Sequence, residues 1–139
     1  MAFNGIEQLP GEPIFIFTFD GLVTISDVNS AFAVSAETWC DTMRLTGMHN
    51  ILVLTNITSD FSTVMKALRI QAEQNSTNYE IRQHIQQYMV STDPMAHLFA
   101  SARALEQFGS QPVPDFAHLD DAIAAARTAI KTRVSVDWN

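Results

Sequence analysis

The side chains most able to do chemistry in this 139-residue sequence are four histidines, one cysteine and a hydroxyl-rich segment at 58–63. His49, His84, His97 and His118 fall on separate segments, with no cysteine or carboxylate at metal-ligand spacing such as H-x-x-x-H. They are expected at the surface or at helix caps, and no metal site is expected. His97 follows Asp93 by four residues, a spacing that on one helical face gives a local ion pair worth about 0.2–0.5 kcal/mol. Cys40 follows Trp39 in the middle of an apolar-periodic segment, with no helix N-terminus and no neighbouring base to acidify it, so a buried, inert thiol is expected. Thr58, Ser59, Asp60, Ser62 and Thr63 offer other chemistry. Hydroxyls and a carboxylate at a helix start can cap the helix, cradle an anion or carry a phosphoryl group, because the first amides are unpaired and the dipole favours negative charge. In an enzyme, Asp60, His84 and Asp93 would be the first residues to inspect, since strand ends and helix starts converge at one edge of an open α/β sheet. No G-x-S-x-G, P-loop or G-x-G-x-x-G occurs, so neither a catalytic constellation nor a cofactor is expected.

Composition narrows the function classes further. The chain is 47% apolar and 17% charged, which fits one domain over 1–139 that buries a core without a metal or a disulfide. Fifteen acidic against eight basic residues give a net charge of -7, which opposes nucleic-acid binding because counterion release needs a concentrated basic face. One cysteine cannot form an internal bridge, and no charged stretch leads into an apolar run of the signal-peptide kind. A cytoplasmic location without membrane insertion is the expectation.

The elements that must position these residues follow from periodicity. Residues 1–12 read as an arm or edge strand, with Ile6 and Leu9 ahead of the Pro10-Gly11 turn. PIFIFTFDGLVT at 13–24 reads as a strand buried on both faces, Ile14, Ile16 and Thr18 on one side and Phe15, Phe17 and Phe19 on the other. Asp20-Gly21 signals a hairpin or a bulge. Thr24 and Asp27 have capping-box spacing and open a helix expected to run through Val28, Phe32, Trp39 and Met43 to Gly47. Asn50–Thr55 reads as a central strand, and Phe61–Ala72 as a helix capped by Ser59 or Asp60 and stopped by the turn at 75–78. Ile85–Ser91 alternates weakly and reads as a strand or the end of an extended helix, with Tyr88 and Val90 favouring the strand. Asp93-Pro94 starts a helix whose stripe is Leu98, Phe99, Ala102, Leu105 and Phe108 before Gly109. Residues 112–116 suit an edge strand, Leu119 to Ile130 a final helix, and 132–139 a tail that frays or docks through Trp138. Strands alternating with helices imply right-handed crossovers and a mostly parallel sheet.

Three strings carry a family resemblance: ILVLTNITSDFSTVMKAL at 51–68, MVSTDPMAHLFASARALEQFG at 89–109 and PVPDFAHLDDAIAAA at 112–126. Their order resembles the STAS-type domains, which include the sporulation anti-sigma-factor antagonists, and especially their SpoIIAA-like, STAS/SEC14-like relatives. The resemblance implies an α/β fold with a mixed, mostly parallel sheet of four or five strands and about four helices. In the antagonists a strand enters a loop of Asp-Ser-Ser/Thr-Gly pattern whose hydroxyl a partner kinase phosphorylates. Here that stretch is Thr58-Ser59-Asp60-Phe61-Ser62-Thr63, with Phe61 between the aspartate and the serine and no glycine. The resemblance therefore implies a non-catalytic regulatory or protein-interaction domain, with a protein partner or a second copy docking on Thr58, Ser59, Asp60, Ser62 and Thr63. The alternative is a carrier for a small apolar or lipid-like ligand in a sheet–helix cleft lined by Phe17, Phe32, Trp39 and Met65.

Overall fold

Alternating side chains along three adjacent strands set the layering of the molecule. A computed structural model describes residues 2–77, 79–103, 105 and 113–138. The strands are β1 (Phe3–Gln8), β2 (Ile14–Leu22), β3 (Met48–Thr58), β4 (Ile85–Val90) and β5 (Asp115–Phe116). The helices are α1 (Ile25–Thr38), α2 (Phe61–Thr77), the short α3 (Tyr79–Arg82), α4 (Pro94–Ala102) and α5 (Leu119–Trp138). The sheet runs β1-β2-β3-β4-β5, with β1 antiparallel to β2 and every later pair parallel. Each parallel connection steps to the next strand in the same direction, so right-handed crossovers put α1, α2 and α4 on one face. The other face is left to α5.

Side-chain parity agrees. Phe15, Phe17 and Phe19 of β2, Leu54 of β3 and Met89 of β4 pack with Val28 and Ala31 of α1 and with Ala96, Phe99 and Ala100 of α4. Ile14, Ile51, Tyr88 and Val90 point the opposite way, where Ala122 and Ala126 of α5 press against them. A single-residue slip in any of these strands would exchange the two sets. Asp20-Gly21 makes a bulge in the β2–β3 ladder, with a register shift between Thr18 and Asp20, and the hairpin lies instead at Pro10-Gly11 between β1 and β2. Among the described residues no helix is long and apolar enough to cross a membrane.

Several expectations need correction. The first helix does not reach Gly47: it stops at Thr38, Trp39 and Cys40 turn extended, and Asp41–Arg44 form a separate 3-10 turn. Leaving the helix sets the Trp39 ring stacked on His84, with centroids 5.9 Å apart. Cys40 is consequently exposed, its Sγ 2.9 Å from the Thr42 hydroxyl, and not buried. His49 is buried, not superficial. Its Nε2 faces the Thr46 carbonyl at 2.9 Å and so carries the proton, which leaves Nδ1 to accept from the Tyr88 hydroxyl at 2.9 Å. His97 pairs with Asp115 at 2.8 Å, because Asp93 is occupied in capping α4 through the Met95 amide. Residues 132–138 continue α5 and are not a tail. Leu105 is exposed, and the expected helix end at Phe108 and Gly109 lies outside the described residues.

Gly47 closes the 3-10 turn at φ +79°, where an added Cβ would stand 3.1 Å from both His49 Nε2 and the His84 carbonyl oxygen. A β-carbon is strained in that left-handed conformation, and one of the two neighbours is backbone. Gly47→Ala is expected to lower unfolding free energy by about 2 kcal/mol in denaturant titration.

Candidate functional site

Polar residues at core-facing strand positions create a cavity that combines polar and apolar walls. On β3 the positions facing α1, α2 and α4 are Asn50, Leu52 and Leu54, and on β4 they are Gln87 and Met89. Register places Asn50 beside Gln87 and Leu52 beside Met89, so two amides lie together at the N-terminal end of the strands and apolar side chains follow. The resulting cavity of about 110 Å³ lies between the sheet and α1, α2, α3 and α4. From Asn50 to Leu54 the wall extends about 13 Å, at about 3.3 Å per residue.

The polar end is built by side chains that packing has taken out of water. Asn50 donates to the Ser35 hydroxyl at 3.0 Å, and Gln87 donates to Gln71 Oε1 at 3.2 Å. The oxygens Asn50 Oδ1 and Gln87 Oε1 accept no hydrogen bond, although both are buried. Orphan acceptors of this kind each cost about 1–3 kcal/mol. Arg82, at the end of α3, is only 5% exposed and lies with its guanidinium carbon 5.2 Å from the Phe32 ring centroid. Burial pulls its pKa down. Arg103, 1% exposed, is pulled down to about 10, by burial first and then by the charge of Arg82. The apolar end is formed by Phe17, Phe19, Leu54, Ile57, Met95 and Phe99.

The residues singled out in the sequence are distributed unevenly around this cavity. Phe17 and Phe32 line it, whereas Met65 does not and Trp39 sits on His84. Ser59 and Thr63 line its C-terminal end. Asp60 caps α2: its Oδ1 accepts from the Thr63 amide at 2.7 Å, and the Thr63 amide and hydroxyl hold the carboxyl below the usual aspartate range. Thr58, Asp60 and Ser62 are exposed. Phe61 and Leu22, 60% and 62% exposed, stand at the same edge of the sheet, since Leu22 pairs with Thr58. His84 precedes β4 while Asp93 follows it, so the length of a strand, about 17 Å at 3.3 Å per residue, separates the histidine from Asp93. Asp60, His84 and Asp93 therefore do not form one constellation.

The sequence reading missed Ser35, Asn50, Gln71, Arg82 and Gln87. The signal for two of them was present, because Asn50 and Gln87 interrupt apolar strands at positions where parity demands a core residue.

Comparison with solved structures places this architecture. The chain is similar to an uncharacterised protein of the DUF3478 family from Shewanella loihica PV-4 with a SpoIIAA-like fold, at a TM-score of 0.60 and 11% identity over 90% of this chain and 92% of that one. No family model matches the sequence. No curated protein matches it either. The fold is SpoIIAA-like, with a mixed, mostly parallel five-stranded sheet, as the STAS-type resemblance implied.

Proposed function

With a SpoIIAA-like fold as the starting point, we propose that the chain is a non-catalytic binding domain that takes a small apolar ligand in the cavity between its sheet and helices. The observation that carries this reading is the cavity's lining, apolar along its length with amides at one end, the composition of small-molecule sites rather than of packed cores. Its described lining contains no carboxylate, imidazole, thiol, amine or phenol that could act as an acid, a base or a nucleophile. At about 110 Å³ the cavity is somewhat smaller than the roughly 150 Å³ engineered apolar cavity that admits benzene. The ligand body is therefore a few carbons, and a long lipid tail would have to leave through the cavity mouth.

Benzene and xenon are suitable probes. Either is expected to shift amide NMR signals of Leu54 and Met89 in the unmodified protein. Ala67→Leu, which puts three more carbons into the wall, is expected to abolish those shifts while the spectrum stays folded. An unperturbed spectrum of the unmodified protein at saturating benzene and under xenon pressure would overturn the reading.

A second reading is favoured by the exposure of Phe61 and Leu22 beside Thr58, Ser62 and Thr63: this edge docks a protein partner in the cytoplasm, in the manner of a STAS regulator. Phosphopeptide mapping after incubation with cell extract tests it at Ser59, Ser62 and Thr63. Because Asp60 already satisfies the Thr63 amide, a phosphate there would compete with an existing cap.

A further inference from the structure

We infer that Arg82 binds the carboxylate of a small apolar acid at the polar end of the cavity, an inference that rests on the ligand-binding function proposed above. Arg82 is 5% exposed and belongs to the cavity wall, yet no carboxylate pairs with it among the described residues. Among the described residues it lies on the Phe32 ring, which attracts the cation but accepts none of the five guanidinium N–H groups in the way an oxygen would. A buried charge without a counter-charge is costly and is retained where something else uses it. The polar end of the cavity thus holds one guanidinium in a chain whose net charge is -7.

The chemistry of the walls specifies the anion. Arginine presents two parallel N–H groups that match a planar carboxylate. Ser35, Asn50, Gln71 and Gln87 surround that end with neutral polar groups, so one guanidinium facing one singly charged head balances, and a dianion would not. Beyond it Leu52, Leu54, Met89 and Phe99 offer nothing but hydrocarbon, sulfur and aromatic carbon, which suits an apolar body a few carbons long.

Hexanoate and 1-hexanol, which share a chain and differ in the head, test this by titration followed through amide NMR shifts. The unmodified protein is expected to bind hexanoate about tenfold or more tightly than hexanol, the discrimination that a charged hydrogen-bonded pair supplies. In Arg82→Met the preference is expected to vanish while hexanol affinity changes by less than about twofold, because the thioether fills much of the same space. The ligand-free variant is expected to unfold at the same or a higher denaturant concentration, since an uncompensated buried charge has been removed. If hexanol binds and hexanoate binds no better, the assignment of Arg82 falls and the apolar cavity stands. If neither binds, both fall. A preference for hexanoate that survives in Arg82→Met also overturns the assignment, and the wild-type comparison decides the matter even where the variant does not fold.

Discussion

Phe17→Ala is expected to reduce unfolding free energy by about 4–5 kcal/mol, the upper part of the usual range for removing a buried phenyl ring. Phe17 is buried in β2, stacks on Phe3 of β1 with ring centroids 6.0 Å apart and forms part of the cavity wall. Truncation therefore enlarges an existing void, and collapse is blocked because the sheet on either side is fixed by its ladders to β1 and β3. The loss rises with the void that remains, so this position lies above the mean for its type. Against a total stability of about 5–15 kcal/mol for an ordinary domain, such a loss is severe. Urea titration checks it, with the midpoint falling and the slope unchanged. Ile16→Ala, one residue away but half-buried on the opposite face, is expected to lose less than half as much. Equal losses at the two positions would contradict the parity of β2.

Asp27→Ala is expected to cost about 3 kcal/mol. The Asp27 carboxylate is 1% exposed and serves two elements at once. Oδ2 accepts from the Thr24 amide and hydroxyl, both at 2.9 Å, while Oδ1 accepts from the Phe3 amide at 3.1 Å. The Asp27 amide in turn donates to the Thr24 hydroxyl at 3.3 Å, completing the capping box of α1. Alanine removes the cap, worth about 1 kcal/mol, and leaves two backbone amides without acceptors, each costing about 1–3 kcal/mol unless water reaches it.

The same carboxylate links stability to pH. Burial pushes its pKa up, but hydrogen bonds from the backbone of Thr24, Phe3 and Ala2 and from the Thr24 hydroxyl outweigh burial and hold it below the ordinary 3.8. A depressed folded-state pKa means that the unfolded chain binds the proton first as pH falls. The contribution is thus fully present above about pH 4 and is lost as pH drops through the folded value. The unmodified protein is expected to lose stability below about pH 4 more steeply than Asp27→Asn does. Parallel acid profiles would contradict the assignment. Buried, neutral His49 adds a fall at higher pH, since burial, with the charge of Arg133, lowers its pKa. Below about pH 6.5 the unfolded chain takes up that proton before the folded one does.

The residue pattern set the order of the strands and the main helices and which strand faces are buried. Those properties are written in local spacing: the alternation of Ile14 to Phe19, the Thr24–Asp27 box and the Asp93-Pro94 start all lie within a few residues of what they control. It misread Trp39 and Cys40, because apolar periodicity continues past the point where the chain leaves α1 and only docking on His84 gives the Trp39 ring its place. The composition of the cavity came only with packing. Asn50 and Gln87 become neighbours through the β3–β4 register, and Phe32 and Arg82 meet across fifty residues of chain. A buried charge gains its meaning from which opposite charges fail to reach it, and that is a property of three-dimensional packing which no local pattern encodes.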